Sequence, residues 1–301
     1  MSTEEPISPR LRDRLQFAAI RSVFWLMYRL PYRWRVPFSG WFLSRIVAPL
    51  LGWRKRIAAN LRLVMPEISA AETHRLQHAV PDNFGRTMAE LFSPQEFLPI
   101  ARGTALEGPG LAALKQAQTE GRPSILVSGH FGNYDVIRAG VIAQGFQVGG
   151  IYRPMNIPQF NEIYVDSISQ IGQPLFSRGR RGMGQMMRFL KDGGTLAVLI
   201  DQRLSNGVAL QYFGQTAYTA LSFAELALKY NATVVPCYAI RQPDGLSFRA
   251  VLEAPVPHTT AEEMTQALND SLEAMVRQHM GQWFWIHNRW KTIPKAQETS
   301  A

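Results

Sequence analysis

Short apolar runs and amphipathic stretches take turns along the middle of this chain. "SILVSG" (124–129) has the length and branching of a buried strand, and "NYDVIRAGVIAQG" the period of a helix, closed by Gly145. "QVGGIYRP" predicts a strand, "NIPQFNEIYVDSISQIG" a helix, and "GMGQMMRFLKDGG" a helix ended by Gly193 and Gly194. "TLAVLIDQ" predicts a strand, "YTALSFAELALKYN" a helix, and "ATVVPCYAIR" and "LSFRAVLEAPV" two further strands. A long helix is expected over about Thr260 to Met280. Strands alternating with helices of this length predict an α/β fold with a mixed, largely parallel sheet flanked by helices. In such sheets ligands gather beyond the carboxyl ends of the strands, where "SGHFGNYD" and "DQRLSNG" both lie.

Upstream, Ser69 followed three residues later by Glu72 is a capping-box pattern that opens a helix, and a second helical stretch is expected after Pro81. His74 and His78 stand at i and i+4, a spacing that can bind a metal; with no third ligand nearby, a solvated helix face is expected. Residues 1–10 and the end from about Lys295 are polar and expected to be loose. No internal repeat is visible.

The segment 1–66 differs in kind from the α/β region, 67–301. It is dense in aromatic and aliphatic residues, yet Arg21, Arg29, Arg33, Arg35 and Arg45 interrupt it, so no uncharged run approaches the ~20 residues of a spanning helix. It also lacks the pattern of a signal peptide. The net charge of +9 resides here: residues 1–66 hold twelve Lys/Arg against three acids, and the other 235 residues hold twenty of each. Tryptophans and tyrosines that favour the headgroup level, beside arginines that meet phosphates, predict amphipathic helices docked on an anionic membrane surface. This apolar bulk is foreign to a nucleic-acid arm, so no nucleic-acid partner is expected. Packing of these helices on the domain is compatible with docking. One cysteine, Cys237, excludes an internal disulfide and points to a reducing compartment and a buried strand residue rather than a nucleophile.

His130 and Asp135 are the first candidates for chemistry. With a turn through Gly132 between them, the carboxylate can return to one ring nitrogen and leave the other to take a proton from a hydroxyl. A structural histidine with Asp135 as helix cap is the alternative. Free N–H groups after His130 are candidates to hold an oxyanion. Ser128 lacks a nucleophile-elbow setting, and "GRRGMG" lacks the ending of a phosphate loop. A metal-dependent phosphoesterase using His130, Asp135 and Asp201 would want more His/Asp clusters than the chain offers.

"SGHFGNYDV" resembles the His-x4-Asp/Glu block of glycerolipid-type acyltransferases, and its surroundings are similar to the late lipid A acyltransferases that add lauroyl or myristoyl groups. Further blocks agree in order: "RKRIAANLRLVMPEIS" with "NFGRTMAELF", "IYRPMNIPQFNEI", "LIDQRLSNGVALQYFGQTAYT" and "QWFWIHNRWK". The resemblance covers about residues 50 to 291. It implies transfer of a fatty acyl chain from acyl carrier protein, or coenzyme A in some relatives, to a hydroxyl of a lipid acceptor at the cytoplasmic face of the inner membrane. A lipid A precursor is the first acceptor it suggests, with a glycolipid or a lysophospholipid as the alternative; the mycobacterial mannoside acyltransferases share the chemistry with a different acceptor. It implies His130 as general base, Asp135 as its orienting partner, and no metal or organic cofactor. Gly132, Asn133, Arg153, Asp201, Gln202 and Arg289 are then expected around the substrates. Many lipid A enzymes carry an Arg-x-Arg pair after the Tyr-Arg-Pro block; here "DSISQIGQPL" stands in its place, and Arg178, Arg180 and Arg181 follow slightly later. These three are expected to meet acceptor phosphate or acidic carrier protein. A non-catalytic membrane-binding protein on the same scaffold is the other reading.

Overall fold

The computed structural model describes residues 21–291 apart from 23, 24, 26 and 205. The loose ends expected at 1–10 and from Lys295 lie outside the described residues. Helix α1 (Tyr32–Phe42) continues through a π-helical turn (Leu43–Val47) and a last α turn (Ala48–Leu50). Helix α2 (Trp53–Val64) leads to α3 (Ala70–Leu91), α4 (Pro94–Gly103), β1 (Leu106–Glu107) and α5 (Gly110–Thr119). The Ser69 hydroxyl accepts the Glu72 N–H at 3.1 Å, so the cap starts α3 as the pattern predicts. Pro81, however, does not divide this stretch: α3 is one helix of 22 residues. Buried Leu76, Val80, Asn83 and Thr87 keep one face against the body on both sides of the proline, and that packing outweighs its missing N–H.

Downstream the units repeat: β2 (Ser124–Ser128), α6 (Asp135–Ala143), β3 (Val148–Tyr152), α7 (Pro158–Ile171), β4 (Leu175–Ser177), α8 (Arg180–Lys191) and β5 (Thr195–Leu199). A hairpin of β6 (Val208–Tyr212) and β7 (Gln215–Thr219) follows, then α9 (Ser222–Tyr230), β8 (Thr233–Arg241), β9 (Phe248–Leu252) and α10 (Ala261–Gln278). The seven-stranded sheet runs β1-β9-β8-β2-β5-β3-β4, and only the β8–β9 pair is antiparallel. The sheet is therefore mixed and largely parallel, as the alternation predicts. Central β2 is buried along its whole length, which explains why it reads as a continuous apolar run. The hairpin is absent from the sequence reading; its half-exposed β6 pairs outside the main sheet.

The amino-terminal helices are packed onto this body. Helices α1 and α3 approach so closely at Gly85 that a Cβ there would lie 2.6 Å from the Ser39 carbonyl oxygen. Opposite this contact, Trp34, Phe38, Trp41, Ile46, Leu50 and Leu51 are exposed, beside exposed Arg33, Arg45, Lys55 and Arg56. Among the described residues no helix is long and apolar enough to cross a membrane.

The turn from β2 into α6 requires a glycine. Gly132 has φ +54°, and a Cβ on it would sit 1.8 Å from the Ala239 carbonyl oxygen of β8. Gly132→Ala should therefore lower unfolding free energy by about 2–4 kcal/mol in denaturant titrations. A change within about 0.5 kcal/mol, in the range of neutral surface substitutions, would contradict this account of the turn.

Candidate active site

Two parallel neighbours, β2 and β5, end in register, with Ser128 opposite Leu199. The ladder continues one step further through the Ile200 N–H donating to the Ser128 carbonyl at 3.1 Å. His130 and Asp201 each lie two residues beyond the paired positions, so the pleat brings them to the same side of adjacent strands. The side chains meet: His130 Nδ1 lies 2.7 Å from Asp201 Oδ1. The second carboxylate oxygen accepts the His130 main-chain N–H at 2.8 Å and the Trp283 indole N–H at 2.9 Å.

Asp201 is fully buried, and burial alone would push its pKa up. The charge and hydrogen bonds of His130, with a smaller contribution from His287, outweigh burial and hold this carboxyl below the usual carboxylate range. An ionised carboxylate can only accept, so the proton on His130 sits at Nδ1 and Nε2 is left as the basic nitrogen. The His130 side chain is 20% exposed where Asp201 is 0%, so the imidazole is the part of the pair that substrate reaches.

The expectation that Asp135 orients His130 needs correction, since Asp201 occupies Nδ1. Asp135 begins α6, its N–H held by the Asn133 side-chain oxygen at 3.1 Å. Its carboxylate has no hydrogen-bond partner among the described residues. Burial raises its pKa to about 6, and Arg138 one turn along the helix only partly counters this. Asp135 lines the large cavity, and so does Arg138.

That cavity, of about 560 Å³, opens beside His130 and runs past the ends of β2, β3 and β5. Apolar side chains, among them Leu91, Leu126, Ile137, Ile151 and Ile168, form much of its wall, while Arg153, Arg178 and Gln202 also border it. Arg180 and Arg181 are exposed in the first turn of α8, beyond the cavity lining. No acid stands in that turn, so two cations face the positive end of the helix dipole, a placement that favours a bound anion. Gly132 and Asn133 do not line the cavity. The Asn133 amide instead donates to Glu90 at 2.7 Å in the interior. Arg289 is likewise not at the surface of the site: it is 1% exposed and donates to the Tyr218 carbonyl, Thr219 Oγ1 and Asn269 Oδ1, tying β7 to α10.

His287 comes close, its ring centroid 4.7 Å from that of His130, and burial pushes its pKa down to about 4, leaving it neutral near pH 7. His130, Asp201 and His287 bring ligand-capable atoms within 4.8 Å of one another and are the described residues able to hold a metal ion. His74 and His78 meet edge to face, with ring centroids 4.9 Å apart, without joining such a group. The alternative nucleophiles lack an activating partner among the described residues. Ser128 Oγ is buried without a hydrogen-bond partner, and burial raises the pKa of the Cys237 thiol, on the same cavity wall.

Residues 9–292 match the bacterial lipid A biosynthesis acyltransferase family. The chain belongs to this family. It is thus an acyltransferase whose acceptor is a lipid. It is 27% identical over 287 residues to the lipid A biosynthesis lauroyltransferase of Escherichia coli (strain K12), covering 91% of this chain and 90% of that one. The lipid A biosynthesis palmitoleoyltransferase of the same organism is 25% identical, covering 92% and 91%. A phosphatidylinositol mannoside acyltransferase of Mycolicibacterium smegmatis is 23% identical, covering 79% and 80%.

The raised pKa of Asp135 has a consequence for stability. Its carboxyl holds a proton more tightly folded than unfolded, so stability falls as pH rises from the ordinary 3.8 to about 6, and the penalty is complete above that. Asp135→Asn should therefore raise unfolding free energy by about 3 kcal/mol at pH 7.5 and by little at pH 4. Equal effects at both pH values would show that Asp135 is not held in the environment described.

Proposed function

We propose that this acyltransferase moves a fatty acyl chain from an acyl thioester of acyl carrier protein or coenzyme A to a hydroxyl of a membrane lipid, with His130 as general base and Asp201 as its partner. The observation that carries the reading is the His130–Asp201 pair, with its imidazole on the wall of a large, mainly apolar cavity. In this mechanism His130 Nε2 removes the acceptor hydroxyl proton, and the alkoxide oxygen bonds to the thioester carbonyl carbon. The carbonyl electrons become an oxyanion, which re-forms the carbonyl as the C–S bond breaks. The departing thiolate takes the proton back from His130 and leaves as thiol. No acyl-enzyme is required, in keeping with the unpartnered Ser128 and the raised pKa of Cys237. Alignment and oxyanion stabilisation by main-chain N–H groups after His130 then supply most of the rate enhancement.

The acyl chain occupies the apolar cavity, gaining about 0.8 kcal/mol for each methylene it buries. Arg153 and Arg178 at its edge, with Arg180 and Arg181 outside, meet acceptor phosphate or the acidic surface of carrier protein. The names of the relatives make a lipid A precursor the first acceptor to test and a glycolipid the second. The exposed Trp34, Trp41 and Leu50, rimmed by Arg33, Arg45 and Lys55, dock the protein peripherally on the cytoplasmic face of the inner membrane.

Acyl transfer from radiolabelled acyl carrier protein, and separately from acyl-coenzyme A, into bacterial lipid extract should give a labelled lipid. His130→Ala and Asp201→Asn should each lower its rate by on the order of 10²–10⁴-fold without unfolding the protein. A folded wild type yielding no product with either donor would sink the assignment of substrates, and an active His130→Ala would sink the mechanism. In vesicle co-sedimentation, anionic phosphatidylglycerol vesicles should capture the protein and neutral phosphatidylcholine should not, with capture falling as salt rises. Equal capture by both would remove the electrostatic part of the docking proposal.

A further inference from the structure

Behind the turn that carries His130 lies a buried polar network. Glu90, Thr87 and Asn83 share one face of α3, and all three are buried. Arg241, at the end of β8, reaches them. It forms a bidentate pair with Glu90, one arm of it at 2.7 Å, and is itself 8% exposed. Such a pair adds little net stability compared with apolar residues of the same size, because both ions are stripped of water. Its geometric effect is larger.

Arg241 has donors only, and it spends two of them on the neighbours of Gly132. Nε donates to Asn83 Oδ1 at 2.9 Å, which fixes the amide so that its NH₂ faces the Gly132 carbonyl oxygen at 3.1 Å. Nη2 donates to Thr87 Oγ1 at 3.2 Å, which turns the hydroxyl hydrogen toward acceptors, with the Gly132 oxygen at 2.9 Å. Asn133 Nδ2 donates to Glu90 as well, and the Gly132 N–H is held by the Gln282 carbonyl at 2.9 Å. The Gly132 carbonyl is thus clamped toward α3. A trans peptide is planar, so the Asn133 N–H is directed to the opposite side. Among the described residues no acceptor takes the Asn133 or Tyr134 main-chain N–H.

We propose that Asn83, Thr87, Glu90 and Arg241 are positioning residues that clamp the Gly132–Asn133 peptide and so fix the next residue, Tyr134, which lines the cavity, with its unpartnered main-chain N–H set to meet the oxyanion of the acyl-transfer step. The proposal rests on the acyl-transfer reading above. The network touches neither His130 Nδ1 nor Asp201, so its loss weakens oxyanion stabilisation while leaving the base and its partner intact.

Steady-state kinetics with the full-length chain and the better acyl donor test this. Thr87→Val keeps the shape of the side chain and removes the donor; it should lower kcat about tenfold, with KM for the donor within twofold and a pH–rate profile of unchanged position. Asn83→Ala acts on the same carbonyl and should behave alike, and Thr87→Ser should recover most of the loss. Rates are taken per folded protein, with thermal unfolding measured on each variant. The proposal is overturned if both variants keep the wild-type kcat, if activity falls only with the folded fraction, if KM rises in place of a fall in kcat, or if the pH profile moves as it does in Asp201→Asn. An inactive wild type would overturn the acyl-transfer reading itself, whereas an active wild type with unaffected variants would overturn the clamp alone.

Discussion

A carboxylate removed entirely from water is tolerated only when its charge and lone pairs are answered, and Asp201 sets the terms for the rest of this site. Three donors converge on it from two distant parts of the chain: the imidazole and main-chain N–H of His130 and the indole of Trp283. Because one donor is the main chain of residue 130 and another its ring, the carboxylate fixes both the position of the turn and the plane of the imidazole. The aromatic cluster of Tyr212, Trp283, Trp285 and Trp290 packs behind it and excludes water. Loss of any of these supports would leave a buried charge short of partners, which is costlier than the loss of a single contact.

The turn from β2 to α6 is consequently held from two sides. Asp201 fixes its first residue, and the α3 network with Gln282 fixes its middle. Gly132 makes this double restraint possible, since a side chain there would strike β8. The cavity needs no such precision along most of its wall. Apolar contacts are non-directional, and the sequence can vary there in size and shape while the mouth keeps its hydrogen-bonded geometry.

Much of the fold was legible in the chain because the central strands are buried on both faces and read as unbroken apolar runs, and because Gly145, Gly193 and Gly194 mark the helix ends. Pro81 misled because helix continuity there is decided by a buried face that local punctuation does not report. The β6–β7 hairpin lay hidden in a segment with half-exposed strands and no strong alternation. In the site, His130 was found from its place after a strand, yet its partner was sought five residues away and stands 71 away. A signal for it did exist: "SILVSGH" and "TLAVLID" align so that His and Asp each fall two residues past a strand end. Arg289 invited a surface role because an arginine in a dense aromatic block looks available, whereas its three acceptors lie on β7 and α10, far off in sequence. Asn83, Thr87, Glu90 and Arg241 left no local trace, since each is an ordinary polar residue whose meaning comes only from its neighbours in space.

Trp283 and the bridge it makes with Phe131 have a further implication for how the protein comes into being. At the usual pace of synthesis, about 5–20 residues per second, the ribosome needs roughly 8–30 s to travel from His130 to the segment that encloses it. Through that interval the exposed tryptophans and arginines of α1 and its continuation are already outside the ribosome. The nascent chain thus carries its exposed aromatic and basic surface before it has the indole that completes the hydrogen bonds of Asp201, so the outer face of the protein is made before this buried carboxylate can be satisfied.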